Sequence, residues 1–405
     1  MIEHIQGGVC APKGFTAGGI HCGIRKNRSK RDLSMILSEV PASAAAVYTR
    51  NLVKGAPIYV TQRNLQNGVA QAVVCNSGNA NTCNADGEDV AWQMCRLAGD
   101  ALGVKPEDVI VASTGVIGQP LPIAPIAQGV APLAASLTAT GSPQAAEGIM
   151  TTDTHLKEVA VSFQVDGVTC HLGGIAKGSG MIHPNLATML VFLTCDAAIS
   201  APMLRKALSE DVQDTFNMVS VDGDTSTNDM VSIMANGMAG NAPIASEGNG
   251  YDAFRAALNK VTSTLCRMIA KDGEGASHLL TCQVSGAKST KDAKLCAKAV
   301  ACSSLLKAAI FGADANWGRV LCALGYSGAE LDVHQVEVAF HSSEGTIVVC
   351  RNGASVPFSE EDAKRILLQD EIDVLITLRD GDASATAWGC DLTYDYVKIN
   401  GDYRT

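Results

Sequence analysis

The residues whose types and spacing most suggest chemistry lie in one stretch, Gly173-Gly-Ile-Ala-Lys177-Gly-Ser-Gly-Met-Ile-His183-Pro-Asn-Leu-Ala187-Thr188-Met-Leu-Val-Phe-Leu. Four glycines within eight residues give a backbone that can take positive φ or approach a ligand closely. Lys177 precedes Gly178, whereas a Walker A loop needs Gly-Lys-Ser/Thr, so that phosphate motif is excluded. Pro184-Asn185 imposes an extended or turn geometry, and Met189 to Leu193 is an apolar run fit for a buried central strand. Thr188 therefore stands at the mouth of a strand, behind the small Ala187. On spacing alone it reads first as a β-favouring residue with its hydroxyl bonded to backbone. The second reading is nucleophilic. A threonine hydroxyl is weak without an adjacent base, and one solution makes that base the α-amine of the same residue. Such an amine exists only if the Ala187–Thr188 bond is cut. The hydroxyl can do this itself by attacking the preceding carbonyl and passing through an ester that water opens.

Acyl transfer also needs donors for a developing oxyanion. Ser113-Thr114-Gly115 follows a short apolar run, and a threonine hydroxyl and the Gly115 amide there can converge on one oxygen, although the same tripeptide is ordinary turn composition. Lys177, the only cation of its loop, is either a solvated surface lysine or a partner for a substrate carboxylate. Asp272-Gly-Glu274-Gly-Ala reads as a helix end and turn, or as a lone carboxylate placed to bind an ammonium group. Ser220 to Asp229 alternates oxygen-bearing residues like a calcium loop, but lacks the glutamate at position twelve, and reads as a turn capping a following helix. Phe311 to Arg319 is glycine-punctuated with no reaction logic of its own. The eight histidines form no H-x-x-x-H pair, and no G-x-S-x-G elbow or dinucleotide fingerprint occurs.

The elements that must position these residues belong to a large folded chain. Of 405 residues, 47% are hydrophobic and 18% charged, which excludes intrinsic disorder. The net charge of −10 argues against a nucleic-acid or anionic-membrane partner. Fourteen cysteines, none in a C-x-x-C pair and several inside apolar runs, read as reduced core residues of a cytoplasmic protein, with no metal site. The N-terminus has no basic region followed by an apolar one, so no signal peptide is expected. The uncharged stretch from Val109 to Ala146 is broken by five prolines and cannot form a spanning helix; a buried strand and a proline-broken surface helix are expected.

Strands are predicted at Ala70 to Cys75, Val109 to Ala112, Met189 to Leu193, Val336 to His341, Thr346 to Cys350, Asp373 to Leu378 and Ala383 to Asp391. A hairpin is predicted around Asp166-Gly167. Helices are predicted over Glu88 to Leu102, from Ser200 to about Phe216, through Phe254, Leu258, Val261, Leu265 and Met268, over Ala293 to Leu306, and after a Ser359/Asp362 cap. Helices come in pairs between hairpin-like strands. This favours an α+β layered sandwich, with central, mostly mixed or antiparallel sheets flanked by helices, over a doubly wound sheet.

The run Lys177-Gly-Ser-Gly-Met-Ile-x-Pro-Asn-x-Ala187-Thr188-Met-Leu resembles the signature of the ornithine acetyltransferase (glutamate N-acetyltransferase) family of arginine biosynthesis. Matching segments in family order are Asn76-Ser-Gly-Asn-Ala-Asn81, Ser113-Thr114-Gly115-Val-Ile-Gly118, Thr151-Thr-Asp-Thr154, Asp272-Gly-Glu274-Gly-Ala and Asn400-x-Asp-Tyr-x-Thr405. The resemblance implies an N-terminal-nucleophile-like fold and self-cleavage between Ala187 and Thr188, into an α chain of residues 1–187 and a β chain of residues 188–405 that begins with the nucleophile. It implies Thr114 and Gly115 as oxyanion hole, and substrate contacts at Thr151, Lys177, Thr188, Glu274, Asn400 and Thr405.

The activity it implies is transfer of acetyl from N²-acetyl-L-ornithine to L-glutamate through an acetyl-threonine intermediate. No cofactor is implied; acetyl-CoA is the further co-substrate that some family members accept. The implied assembly is a heterotetramer of two α and two β chains. A self-cleaving amidohydrolase or aminopeptidase of related architecture is the alternative. The chain departs from the usual family pattern at Ser277-His278, in Asn81-Thr-Cys-Asn-Ala-Asp and at Gly401.

Overall fold

The computed structural model describes residues 2–183 and 189–401. Its strands are β1 (Glu3–Ile5), β2 (Phe15–Ile20), β3 (Leu33–Tyr48), β4 (Val69–Asn76), β5 (Val109–Ser113), β6 (Lys157–Val165), β7 (Val168–Lys177), β8 (Leu190–Cys195), β9 (Val219–Ser220), β10 (Met230–Ala235), β11 (Leu279–Ala287), β12 (Glu337–Ser342), β13 (Gly345–Arg351), β14 (Ala354–Ser355), β15 (Glu371–Thr377) and β16 (Ala383–Cys390). The helices are α1 (Ala56–Asn64), α2 (Gly87–Leu102), α3 (Ile123–Ala135), α4 (Ser142–Ile149), α5 (Ala201–Asp211), α6 (Asn249–Lys271), α7 (Thr290–Ala301), α8 (Ser304–Phe311), α9 (Trp317–Gly325), α10 (Glu360–Leu367) and α11 (Tyr394–Asn400).

Among the described residues the strands form two mixed sheets. The first runs β1-β6-β7-β8-β10-β3-β4-β5, with β2 also paired to β3. The second runs β14-β13-β12-β15-β11-β16-β9. Most neighbours are antiparallel; β8/β10, β4/β5, β11/β15 and β16/β9 are parallel. The β6–β7 hairpin turns at Asp166-Gly167, with φ of 50° and 83°, the left-handed pair that a two-residue hairpin turn needs.

The centre of the first sheet is apolar on both faces, so its strands read as unbroken hydrophobic runs. In β8, Leu190 and Phe192 pack with Ile36, Val73, Ala145 and Ile149 on one side. Val191 and Leu193 face the opposite side, with Val261 and Leu265 of α6. Truncating a fully buried side chain such as Phe192 to alanine costs about 3–5 kcal/mol. Helices α1, α2 and α3 cover the outer face of β3, β4 and β5. Helix α6 contacts β6 and β7 of the first sheet and β11 and β16 of the second, so it joins the two layers. The expected α+β sandwich of mixed sheets flanked by helices is therefore present.

Three local expectations are corrected. The helix after Ser200 ends at Asp211, not near Phe216, because the Thr215 hydroxyl bonds the Asp211 carbonyl (2.9 Å) and the chain turns into a short 3-10 segment at Phe216–Met218. Ser200 occupies the N-cap position, but its side chain makes no capping bond. The run from Ala293 to Leu306 is two helices, α7 and α8, because Ser303 caps the second by accepting from the Leu306 N–H (3.3 Å). The loop from Ser220 to Asp229 leads into strand β10 rather than a helix. No helix among the described residues is long and apolar enough to cross a membrane.

Candidate active site

Strand β5 delivers Ser113, Thr114 and Gly115 to one side of a cleft, and several side chains fix that exit. Asn76, at the end of β4, accepts from the Gly78 N–H (3.2 Å) and the Asn79 N–H (3.1 Å) and donates to Ser113 Oγ (2.6 Å). The Thr114 N–H donates to the Asn76 carbonyl (3.0 Å). From the Ser220 to Asp229 loop, Asn228 Nδ2 donates to the carbonyls of Ala80 (2.6 Å) and Ser113 (2.9 Å). Asn228 Oδ1 accepts from the hydroxyls of Thr82 and Thr227. Gly115 has φ of +133°, and a Cβ there would lie 2.7 Å from backbone atoms of Gly78 and Asn79, so no side chain fits. The Thr114 hydroxyl and the Gly115 N–H face the cleft and make no hydrogen bond among the described residues. They are two donors left free beside each other.

The other side of the cleft carries charge. Lys177 ends β7 and lies in register with Leu190 at the start of β8. It is 4% exposed, not solvated at the surface as one reading of its loop had it. Its ammonium makes no hydrogen bond or ion pair among the described residues. Burial lowers its pKa, with the charges of Asp153 and Glu274 opposing that shift. Glu274 is also buried. Its N–H donates to the Ser179 carbonyl (2.9 Å), and its carboxylate accepts from Asn400 Nδ2 (2.7 Å) at the end of α11. The Thr151 N–H donates to Asp153 Oδ2 (2.9 Å).

Thr114, Gly115, Thr151, Lys177, Glu274 and Asn400 thus come together around one cleft, with about 570 Å³ of empty space that is partly open to solvent. Ala187, Thr188 and Thr405 lie outside the described residues. Met181, just before that internal gap, lines the same cleft, and Met189, just after it, is buried at the start of β8.

Sequence reasoning missed three supporting groups. Lys157 Nζ bonds both Asp153 (2.7 Å) and Asp272 (2.5 Å) beneath the charged end. Burial opposes ionisation of Asp153, yet Lys157, Lys177 and the Gly178 N–H hold its carboxyl well below the usual carboxylate range. Asn228 reads in the sequence only as part of a turn. Lys157 did leave a signal. It is in phase with the inward-facing Val159, Val161, Phe163 and Val165 of β6, a period-two position that places it indoors.

The loop that alternates oxygens spends them internally. Asp222 accepts from the N–H groups of Met181 (2.5 Å) and Ile182 (2.9 Å). Among the described residues no group of three or more His, Cys, Asp or Glu is placed to hold a metal ion. The fourteen cysteines are free thiols; burial pushes Cys10 up to about 11 and Cys95 up to about 12, which keeps them protonated.

Two donors with no partner among the described residues, sharing one cleft with an ammonium and a carboxylate, make a site suited to acyl chemistry on an amino acid. The chain belongs to the ArgJ family, whose model matches residues 16–405. It is 51% identical over 406 residues to the arginine biosynthesis bifunctional protein ArgJ of Symbiobacterium thermophilum, covering 100% of both chains. It is 46% identical over 407 residues to the protein of the same name from Bacillus subtilis, covering 100% of this chain and 98% of that one. The crystal structure of the arginine biosynthesis bifunctional protein ArgJ from Bacillus halodurans matches with a TM-score of 0.50 at 43% identity. That match covers 53% of this chain and 98% of the other.

Proposed function

We propose that this protein is an acetyltransferase of arginine biosynthesis that cuts its own Ala187–Thr188 bond and then moves acetyl from N²-acetyl-L-ornithine to L-glutamate. The Thr188 hydroxyl attacks the acetyl carbonyl and gives its proton to the Thr188 α-amine. The oxyanion is held by the Thr114 hydroxyl and the Gly115 N–H. The carbon–nitrogen bond then breaks, the α-ammonium protonates the leaving nitrogen, and ornithine departs from an acetyl-Thr188 ester. The amine of glutamate attacks that ester, its proton returns through the same α-amine to the threonine oxygen, and N-acetyl-L-glutamate leaves. One difficult exchange becomes two easier ones, with an amide broken and an amide made.

The observation that carries this reading is that Thr114 Oγ, the Gly115 N–H and the Lys177 ammonium, which share one cleft with the Glu274 carboxylate, have no hydrogen-bond partner among the described residues. Lys177, with Thr151, is charge-matched to the substrate carboxylate. Glu274, held by Asn400, is matched to the distal ammonium of ornithine, and Thr405 is a further contact. The B. halodurans match supports the cut, since a solved chain of about half this one's length is what cleavage between residues 187 and 188 would leave. The proposal includes a cytoplasmic assembly of two α and two β chains, without a cofactor, and with acetyl-CoA as an additional acetyl donor to glutamate.

Intact mass under denaturing conditions tests the nucleophile. Two species are expected, the second beginning at Thr188, and Thr188→Ala should leave one uncut, inactive chain. Acetyl transfer surviving in that variant would end the mechanism. Acetate released from acetylornithine without glutamate, as fast as transfer occurs, would make the protein a hydrolase instead.

A further inference from the structure

We propose that Lys157 is a positioning residue that occupies Asp153 and so keeps the Lys177 ammonium open for the carboxylate of the substrate. The proposal rests on the role given to Lys177 above.

Asp153 is buried beside Lys177, and among the described residues every hydrogen bond its carboxylate accepts comes from somewhere else. Oδ1 takes Lys157 Nζ (2.7 Å) and the Gly178 N–H (2.7 Å), and Oδ2 takes the Thr151 N–H (2.9 Å). Gly178 directly follows Lys177, so the carboxylate grips the lysine's own backbone while its ammonium stays unbonded among the described residues. Lys157 is 1% exposed and does not line the cleft. Its charge serves two carboxylates, Asp153 and Asp272. Asp272 is further held by the Thr154 and His155 N–H groups, by the Thr154 hydroxyl, and by the His155 ring at 3.2 Å. Without Lys157 the other ammonium whose charge acts on Asp153 is Lys177. A buried carboxylate does not persist unpaired. Lys177 would swing to it, and the cleft would lose the cation that faces it.

The geometry predicts a specific pattern. Lys157→Met keeps the length of the side chain and removes the ammonium. KM for N²-acetylornithine should rise about tenfold or more while kcat changes less than about threefold, the signature of lost uniform binding. The double variant Lys157→Met/Asp153→Asn removes the competing carboxylate as well. Its KM should return to within about threefold of the parent, since charge-assisted pairing no longer captures Lys177.

A purely structural role for Lys157 predicts no such rescue, because a second substitution in the same buried cluster would compound the damage. A well-folded Lys157→Met protein with the parental KM, or a double variant without rescue, overturns the proposal. Should Lys157→Met fail to fold, Asp153→Asn alone decides. Lys157 then remains on Asp272 and Lys177 remains open, so KM should stay within about threefold of the parent. A tenfold rise would show that Asp153 supports Lys177 rather than competing for it. Parental protein that transfers no acetyl group would instead overturn the reading under Proposed function.

Discussion

The side-chain amide of Asn228 lies 2.9 Å from the carbonyl oxygen of Ser113 and 2.6 Å from that of Ala80, so one nitrogen ties together the two chain segments behind Thr114 and Gly115. Ala80 and Ser113 are both buried, and the Ala80 carbonyl also accepts from the Thr82 hydroxyl (3.3 Å). Asn228→Ala removes this donor from each, at about 1–3 kcal/mol for Ser113 and about 0.5–1.5 kcal/mol for Ala80. We expect the melting temperature to fall by roughly 2–5 °C, since 405 residues at about 2.1 cal/mol/K each give about 1.2 °C per kcal/mol. A thermal melt within about 0.5 °C of the parent, well below that scale, would show the amide is dispensable.

The free donors of Thr114 and Gly115 should act only on the transition state. Thr114→Val removes the hydroxyl at nearly constant volume. It should lower kcat by about 10²–10³ with little change in KM, as removal of one oxyanion donor does. Gly115→Ala should be as damaging or worse, because its Cβ has nowhere to go and moves the N–H itself. Steady-state kinetics on N²-acetylornithine check both, and a raised KM at unchanged kcat would place these residues in ground-state binding instead.

If Lys177 holds the substrate carboxylate as proposed, substrate binding should carry a pH dependence of fixed sign. Burial lowers its pKa from the ordinary 10.5, the ammonium is present below the lowered value, and it is lost as pH rises through it. KM for N²-acetylornithine should therefore climb on the alkaline side, earlier than an ordinary lysine would allow. Lys177→Met should raise KM about 10–100-fold at neutral pH, the worth of a charge-assisted bond, and flatten the alkaline rise. Glu274→Gln makes a complementary change. It should weaken use of acetylornithine, whose distal group is cationic, more than use of glutamate, whose distal group is anionic. Competition assays with the two substrates measure that ratio.

Much of this was legible in the residues, for reasons that differ by element. The apolar run after Thr188 announced a buried central strand, and Asp166-Gly167 announced its hairpin, because both signals are local. Ser113-Thr114-Gly115 was legible as a strand end, but its support was not. Asn228 reaches carbonyls 148 and 115 positions away, and no local period encodes such a bond. The Ser220 to Asp229 loop looked like a metal loop because the same oxygen-rich residues serve either to ligate an ion or to bond backbone. Only the fold shows that backbone takes them. Lys157 lay between these cases. Its place in the alternation of β6 was readable, while its two carboxylate partners came from a loop and a helix end far apart in sequence.

The interleaving of the first sheet bears on what a cut between residues 187 and 188 would do. Strands β8 and β10 come from after that point, yet they lie between β7 and β3, which come from before it. The later segment is mortised into the earlier one. Severing the chain there would release an end without releasing a part, and neither piece could withdraw without opening the sheet down its middle. Two polypeptides made this way should melt as one body, and an exchange of halves between molecules would require both to unfold first.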